Sequence, residues 1–321
     1  MTCGASRRQM LKQAAALAAL PALTSLPARA AESYPSRPLR LVVPYPPGGS
    51  TDILARAFAE PMHKALGQPV VIENRPGGAT NIGLEIAAQA PADGYTAYFG
   101  TSGLAANPHF GPVPSVDVFK DISPVSMVAS MPFLVAAHPS LDANTPKELV
   151  ALAKARPGKL MISSAQLETQ VKTLNKRADI ELLHVPYKGG AQATNDAVAG
   201  HVNLVFALLP VLLPQIRGGK LKPIGITAPR RSPAAPDIPT FQEIGIEGPA
   251  PSWFALFVPA GTPAEAVAKL NQAAAAAAAN QELIDKMLGQ GIEIGSSTPA
   301  ELADLLKRDY STNARLLKEL G

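Results

Sequence analysis

The chain has 321 residues, of which 47% are hydrophobic and 17% charged. That length and balance suit a folded globular protein of about two domains and exclude a disordered or fibrous one. The formal charge of +4 does not mark a nucleic-acid or membrane-surface protein, because four of the 29 Lys+Arg (Arg7, Arg8, Lys12 and Arg29) stand in the first 30 residues with no acid beside them, leaving 25 to face 25 Asp+Glu.

Those first residues read as an export leader. Ser6-Arg7-Arg8-Gln9-Met10-Leu11-Lys12 fits the twin-arginine pattern. Ala14 to Leu20 is apolar but too short to span a bilayer, and Ala28-Arg29-Ala30 supplies a small-x-small cleavage site. Residues 1–30 are therefore expected to be a signal peptide, with the rest of the chain delivered to the periplasm. The single cysteine, Cys3, lies inside the leader. The mature chain can form neither a disulfide nor a thiolate metal site, so its stability must come from its core.

Beyond the leader, strands and helices alternate. Leu39 to Val43 is a β-rich run stopped by Pro44, and Tyr45 to Gly49 is a Pro/Gly turn. Ser50 or Thr51 is placed to cap a helix that ends at Leu66 before Gly67; Ile53, Leu54, Ala57, Phe58, Met62 and Leu66 give it one buried face. Pro69 to Glu73 reads as a strand, Asn74 to Gly78 as a glycine turn, the stretch to Gln89 as a helix, and Gly94 to Phe99 as a third strand. This βαβαβ order predicts a parallel, doubly wound sheet. The pattern returns with strands at 160–162, 182–185, 202–206 and 222–226 and helices near 167–177 and 190–200. Trp253 to Val258 is a late strand able to carry the chain back to the first lobe. Thr145-Pro146-Lys147-Glu148, Thr262-Pro263-Ala264-Glu265 and Thr298-Pro299-Ala300-Glu301 each read as a Thr cap, Pro at the first helical position and Glu at the third.

In such sheets, ligands sit beyond the carboxyl ends of the strands. The loops there are Pro46-Pro47-Gly48-Gly49-Ser50-Thr51, Pro76-Gly77-Gly78-Ala79-Thr80-Asn81 and Gly100-Thr101-Ser102-Gly103. Glycines let backbone N–H groups close on a ligand, and a helix N-terminus favours an anion; the same residues also make an ordinary capped turn. Asp52 would complement that helix end itself, which makes it a cap before it makes it a ligand contact. In the second half, Val185-Pro186-Tyr187-Lys188-Gly189-Gly190 offers a phenol and an ammonium to a carboxylate. Enzyme signatures fail: Gly100 to Leu104 lacks the last glycine of a hydrolase elbow, Gly218-Gly219-Lys220-Leu221 lacks the rest of a phosphate loop, and the five histidines show no metal-ligand spacing. A Ser-His-Asp site assembled only in space stays open at this point.

The segments Tyr34–Pro38, Val43–Asp52, Glu73–Gly78, Ala92–Tyr95, Val185–Gly190 and Phe257–Pro263 together resemble the solute-binding receptors of tripartite tricarboxylate transporters, the Bug family. The resemblance implies an α/β, type II periplasmic-binding-protein fold: two doubly wound lobes, joined by two crossing segments, that close over a small ligand. On this chain the lobes would be 34–130 plus 252–321, and 131–251. It implies a small carboxylate ligand, no catalysis, no cofactor and no metal. The expected partners are permease subunits of a membrane transporter or a sensor protein, with the receptor itself a monomer and no nucleic acid involved. Carried onto matching positions, the ligand-binding residues are Tyr45, Gly48, Gly49, Ser50, Thr51, Asp52, Thr80, Asn81, Thr101 and Ser102 from the first lobe, and Ser163, Ser164, Tyr187 and Lys188 from the second. The chain departs from the family at Ser163 to Lys172, where two glycines of a Ser-Ser-Gly-x-Gly-Thr loop are lost and Glu168 adds a negative charge. It departs again at Ala207, where an Asp is frequent, and that loss argues against an amine-bearing ligand. Two rival readings stand beside transport: a receptor for a membrane signalling protein, and an α/β hydrolase relying on Ser102 and His184.

Overall fold

The computed structural model describes residues 34–320, apart from Pro112, Gln166 and Lys188. The expected signal peptide at 1–30 lies outside the described residues, as does Lys188 of the expected site. From Arg37 onward the chain forms one contact unit built on two sheets.

The first sheet begins with β1 (Leu39–Val43), α1 (Ser50–Leu66), β2 (Val70–Asn74), α2 (Asn81–Ala88) and β3 (Thr96–Thr101). β1 pairs in parallel with β2 and with β3, the arrangement that the βαβαβ reading requires. Four of the five β1 residues and all six of β3 are buried, because helices cover both faces. After α3 (Gly103–Phe110) comes β4 (Ile122–Met131), and Pro132 leads from it into β5 (Phe133–Ala137) of the second sheet.

That sheet collects β5, β6 (Leu160–Ala165), β7 (Leu182–Tyr187), β8 (Leu204–Leu208) and β9 (Lys222–Ile226) in the order β7-β6-β8-β5-β9. Its helices are α4 (Pro146–Ala155), α5 (Glu168–Ala178), α6 (Gly190–Val198) and α7 (Leu209–Arg217). The chain then returns. β10 (Ser252–Pro259) inserts antiparallel between β3 and β4, as the late strand at Trp253 promised. α8 (Ala264–Ala278), α9 (Gln281–Leu288), β11 (Glu293–Ile294) and α10 (Pro299–Leu320) follow. The first sheet is thus ordered β11-β4-β10-β3-β1-β2.

Each side of the second sheet has its own core. Phe133, Val135, Ile162, Leu174, Phe206 and Phe241 pack on one face; Leu134, Ala136, Val205, Leu209 and Leu212 pack on the other. The first sheet buries Tyr98, Leu104, Trp253 and Phe257 against Leu302 and Leu306 of α10.

The helix starts separate into two outcomes. Thr145 accepts the Glu148 N–H at 3.2 Å, and Thr298 and Glu301 form the reciprocal box, with Thr298 N–H donating to the Glu301 carboxylate at 2.8 Å. Thr262 does not cap α8. The helix begins at Ala264 after an extended Pro263, one residue past the cap that Thr262 would make, and the Thr262 hydroxyl donates instead to the Pro259 carbonyl at 2.8 Å. α1 also differs from expectation: its cap is the extended Gly49, not Ser50 or Thr51. Neither hydroxyl is used on the helix end, and the first i→i−4 bond runs from Ile53 N–H to Gly49 O at 2.9 Å.

The two halves of the chain meet through backbone as well as side chains. A β-carbon on Gly291 would stand 3.0 Å from Leu209 Cγ and 3.4 Å from Pro210 N. Arg217 Nη1 donates to Gly289 O at 2.9 Å, and Ser232 Oγ donates to Glu293 at 3.2 Å. The turn between α9 and β11 therefore rests on the first turn of α7.

Gly83 matters to everything downstream. A methyl there would lie 2.9 Å from the Arg75 carbonyl and 3.2 Å from Pro44 Cα, both backbone atoms that cannot swing aside. Gly83→Ala is expected to push α2 off the ends of β1 and β2 and to cost about 1–3 kcal/mol, read as a lower urea midpoint. An unchanged midpoint would show that the helix is not packed this closely.

Candidate functional site

The site grows from the carboxyl end of β1. Asp52 lies in the first turn of α1 and is only 2% exposed. Its Oδ2 accepts from Gly48 N–H at 2.9 Å and Arg56 Nε at 3.0 Å; its Oδ1 accepts from Asn74 Nδ2 at 2.8 Å. Asn74, the last residue of β2, also donates to the Tyr45 carbonyl at 3.0 Å and accepts from Arg56 Nη2 at 3.2 Å. One buried carboxylate thus pulls the glycine loop back onto its helix and fastens both to the neighbouring strand. Burial pushes the Asp52 pKa up, but the bonds from Arg56, Gly48 and Asn74 and the charge of Arg56 outweigh it, and the net direction is down.

Tyr45 continues the network. Its hydroxyl lies 3.2 Å from Thr101 Oγ1, which accepts Gly103 N–H at 3.3 Å, and burial raises the phenol pKa despite that bond. Thr101 ends β3, so the loops after β1 and β3 are joined side by side. Ser102, the next residue, shares a hydroxyl–hydroxyl bond of 2.9 Å with Ser252 of β10.

The loop after β2 is the strained one. Ala79 and Thr80 have φ of 53° and 82°, a left-handed path that a β-branched residue rarely takes. Such strain persists only where surroundings enforce it. Here Asn107 of α3 donates to Ala79 O at 2.6 Å and to Thr80 Oγ1 at 3.4 Å. Thr80 and Asn81 are thereby set at the start of α2, next to Tyr98, whose phenol burial pushes far up in pKa while its bond to Thr80 pulls the other way.

Residues from the second sheet sit differently. Ser163 is fully buried, with its hydroxyl shared between Ala193 O at 2.9 Å and Leu204 O at 3.2 Å; it ties β6 to α6 and β8. Ser164, also fully buried, lies 2.7 Å from His184 Nε2. Burial lowers the His184 pKa, Glu168 works against that and Lys172 adds to it, so the ring is mainly neutral at neutral pH. The Tyr187 hydroxyl donates to Asp196, a bond that, with partial burial, raises the phenol pKa. Glu168 pairs with Lys172 one turn along α5 at 2.8 Å, so the charge that departs from the family pattern is met by its own neighbour. Ser102 and His184 bond to other partners on separate sheets, and they form no nucleophile–base pair.

A cavity of ≈ 300 Å³ lies between α1 and α7, lined by Ser50 and Ile53, by Val211, Leu213 and Arg217, and by Gln290 and Ile292 of the turn after α9. Sequence reasoning did not find this cavity, nor Arg56, Asn74 and Asn107. Asn74 stood within the quoted Glu73–Gly78 segment at the end of a strand, which was the available signal. Asn107 and Arg217 carried none, because their roles depend on which loops pack beside them.

Residues 54–321 match the family model described as "Tripartite tricarboxylate transporter family receptor". The chain belongs to this family. Its relatives include protein BugT of Bordetella pertussis, 34% identical over 300 residues that cover 91% of either chain. Among solved structures, a periplasmic transporter is 37% identical with a TM-score of 0.79, over 89% of this chain and 98% of that one. A Rhodopseudomonas palustris protein solved with adipate is 32% identical with a TM-score of 0.81, over 90% and 98%. The two-lobed binding-protein fold expected from the sequence is therefore shown. The receptor is a periplasmic solute-binding protein, and its family members are receptors rather than enzymes, which removes the hydrolase reading.

Asp52→Asn tests the loop's support. The native carboxylate has a folded pKa below its ordinary 3.8, so its stabilisation is full above that value and is lost as pH falls through the folded pKa. At pH 7 the variant is expected to be less stable by about 1–3 kcal/mol, with the gap closing as the native protein is acidified. A gap of constant size across that range would show that the charge is not what holds the loop.

Proposed function

We propose that this receptor captures a small organic carboxylate and delivers it to the permease subunits of a tripartite tricarboxylate-type transporter in the membrane. The observation that carries the reading is the loop Gly48–Thr51, pinned by Asp52 at the start of a 17-residue helix, with Ser50 lining the neighbouring cavity. The amides of Ser50 and Thr51 precede the first intrahelical bond, and such amides at the positive end of a helix dipole suit an anion. The adipate complex of the R. palustris relative supports a carboxylate for this chain too.

In this reading Gly48, Gly49, Ser50 and Thr51 receive the acid, with Thr80, Asn81, Thr101 and Ser102 beside it. Lobe two adds Lys188. Asp52, Ser163, Ser164 and Tyr187 act by positioning, since their side chains are already bonded within their own lobes. Loops from both lobes converge, and closure excludes water and strengthens each hydrogen bond. The protein acts as a monomer and reaches the periplasm by the twin-arginine route.

Calorimetric titration of the mature protein against a panel of mono-, di- and tricarboxylates is expected to give at least one ligand with micromolar or tighter affinity. Absence of any binder at millimolar concentration would overturn the carboxylate assignment.

A further inference from the structure

The chain crosses between the sheets at Pro132, from β4 to β5, and again in the segment from β9 to β10. Two such crossings by themselves leave two lobes free to turn against each other. A further link is not covalent. The turn Gly289–Glu293 belongs with the first sheet, because Glu293 of β11 pairs with Ser130 of β4, two residues before Pro132. It meets the other lobe at three places. Arg217, the last residue of α7, donates to Gly289 O at 2.9 Å. Gly291, at φ 87°, lies against Leu209 and Pro210 at the opposite end of α7. Glu293 accepts from Ser232 Oγ at 3.2 Å and from Arg230 Nη2 at 3.3 Å. α10 also reaches α5, through Lys176 and the Glu319 carbonyl, but that bond is exposed.

Glu293 is the anchor of this seat. Ser232 is buried, and its chain neighbours Ala228 and Ala235 are part of a core of the second sheet. Its hydroxyl accepts the Ala234 N–H at 3.3 Å and gives its one proton to Glu293. Drawing Glu293 away would strand that buried donor, which costs more than losing the exposed Arg230. We propose that Glu293 is a clasp that holds the two lobes at one angle, with Gly289 and Gly291 seated beside it. The clasp acts on binding without touching the ligand. A ligand that needs another angle must first part Glu293 from Ser232, whereas one that fits the clasped angle meets lobes already in place.

The mature chain has no cysteine, so Val71→Cys and Leu183→Cys admit a donor–acceptor dye pair. Both residues are exposed, on the outer strands β2 and β7 of the two sheets. Single-molecule energy transfer is measured without ligand in this labelled receptor and with Glu293→Ala, Glu293→Gln or Ser232→Ala added. Urea midpoints check that each variant folds. The receptor with Glu293 and Ser232 intact is expected to give one narrow efficiency peak. Glu293→Ala and Ser232→Ala should each raise the population outside that peak roughly tenfold. Glu293→Gln keeps an acceptor but no charge, and should fall between. It also keeps the side chain's size, so it decides the matter if Glu293→Ala does not fold. An intact receptor already spread over several efficiencies, or a peak unchanged in the folded variants, would overturn the clasp.

Discussion

The site depends on one buried carboxylate. Asp52 accepts from a loop amide, from the side chain of the neighbouring strand's last residue and from an arginine one turn along its own helix. A buried charge is tolerated only when paired and hydrogen-bonded, and here those requirements determine the shape of the loop. Gly48 must turn its N–H inward to satisfy Asp52. The chain then has to enter α1 through an extended Gly49, and the amides of Ser50 and Thr51 are left without intrahelical partners. Tyr45 extends the constraint to Thr101 and so to the loop after β3.

The two lobes divide the work. In lobe one, buried side chains fasten loops to each other: Asp52 with Asn74, Tyr45 with Thr101, Asn107 with Ala79 and Thr80. In lobe two they fasten strands to helices: Ser163 with Ala193 and Leu204, Tyr187 with Asp196. Lobe one is thus a rigid, preorganised face, and preorganisation reduces the ordering cost of binding. The lobes touch where Gly291 lets a turn of lobe one lie against Leu209 and Pro210.

Much of this was legible in the sequence for identifiable reasons. β1 and α1 were found because alternation, proline stops and a 3.6-residue apolar spacing are local properties, and β1 and β9 match their expected bounds residue for residue. β4 and β5 were not marked: Pro132 breaks a long apolar run there, and only the folded chain shows that the break separates two sheets. The Thr262 cap failed because α8 begins one residue later than the Thr-Pro-x-Glu pattern implies, with Pro263 still extended. Of the site, the glycine loops were readable. Asn107 and Arg217 were not, because each acts on backbone far away in sequence. Ser163 and Ser164 shared the motif of a ligand loop, yet the strand's alternation and its burial on both faces turn both hydroxyls to partners within the lobe.

In the proposed function, the first amides of α1 receive the ligand's acid group. Backbone amide NMR of the isotope-labelled mature protein, titrated with adipate, reads this directly. The Ser50 and Thr51 resonances are expected to move downfield and to saturate together, at one common dissociation constant. Saturable binding that shifts other resonances while leaving Ser50 and Thr51 in place would contradict it.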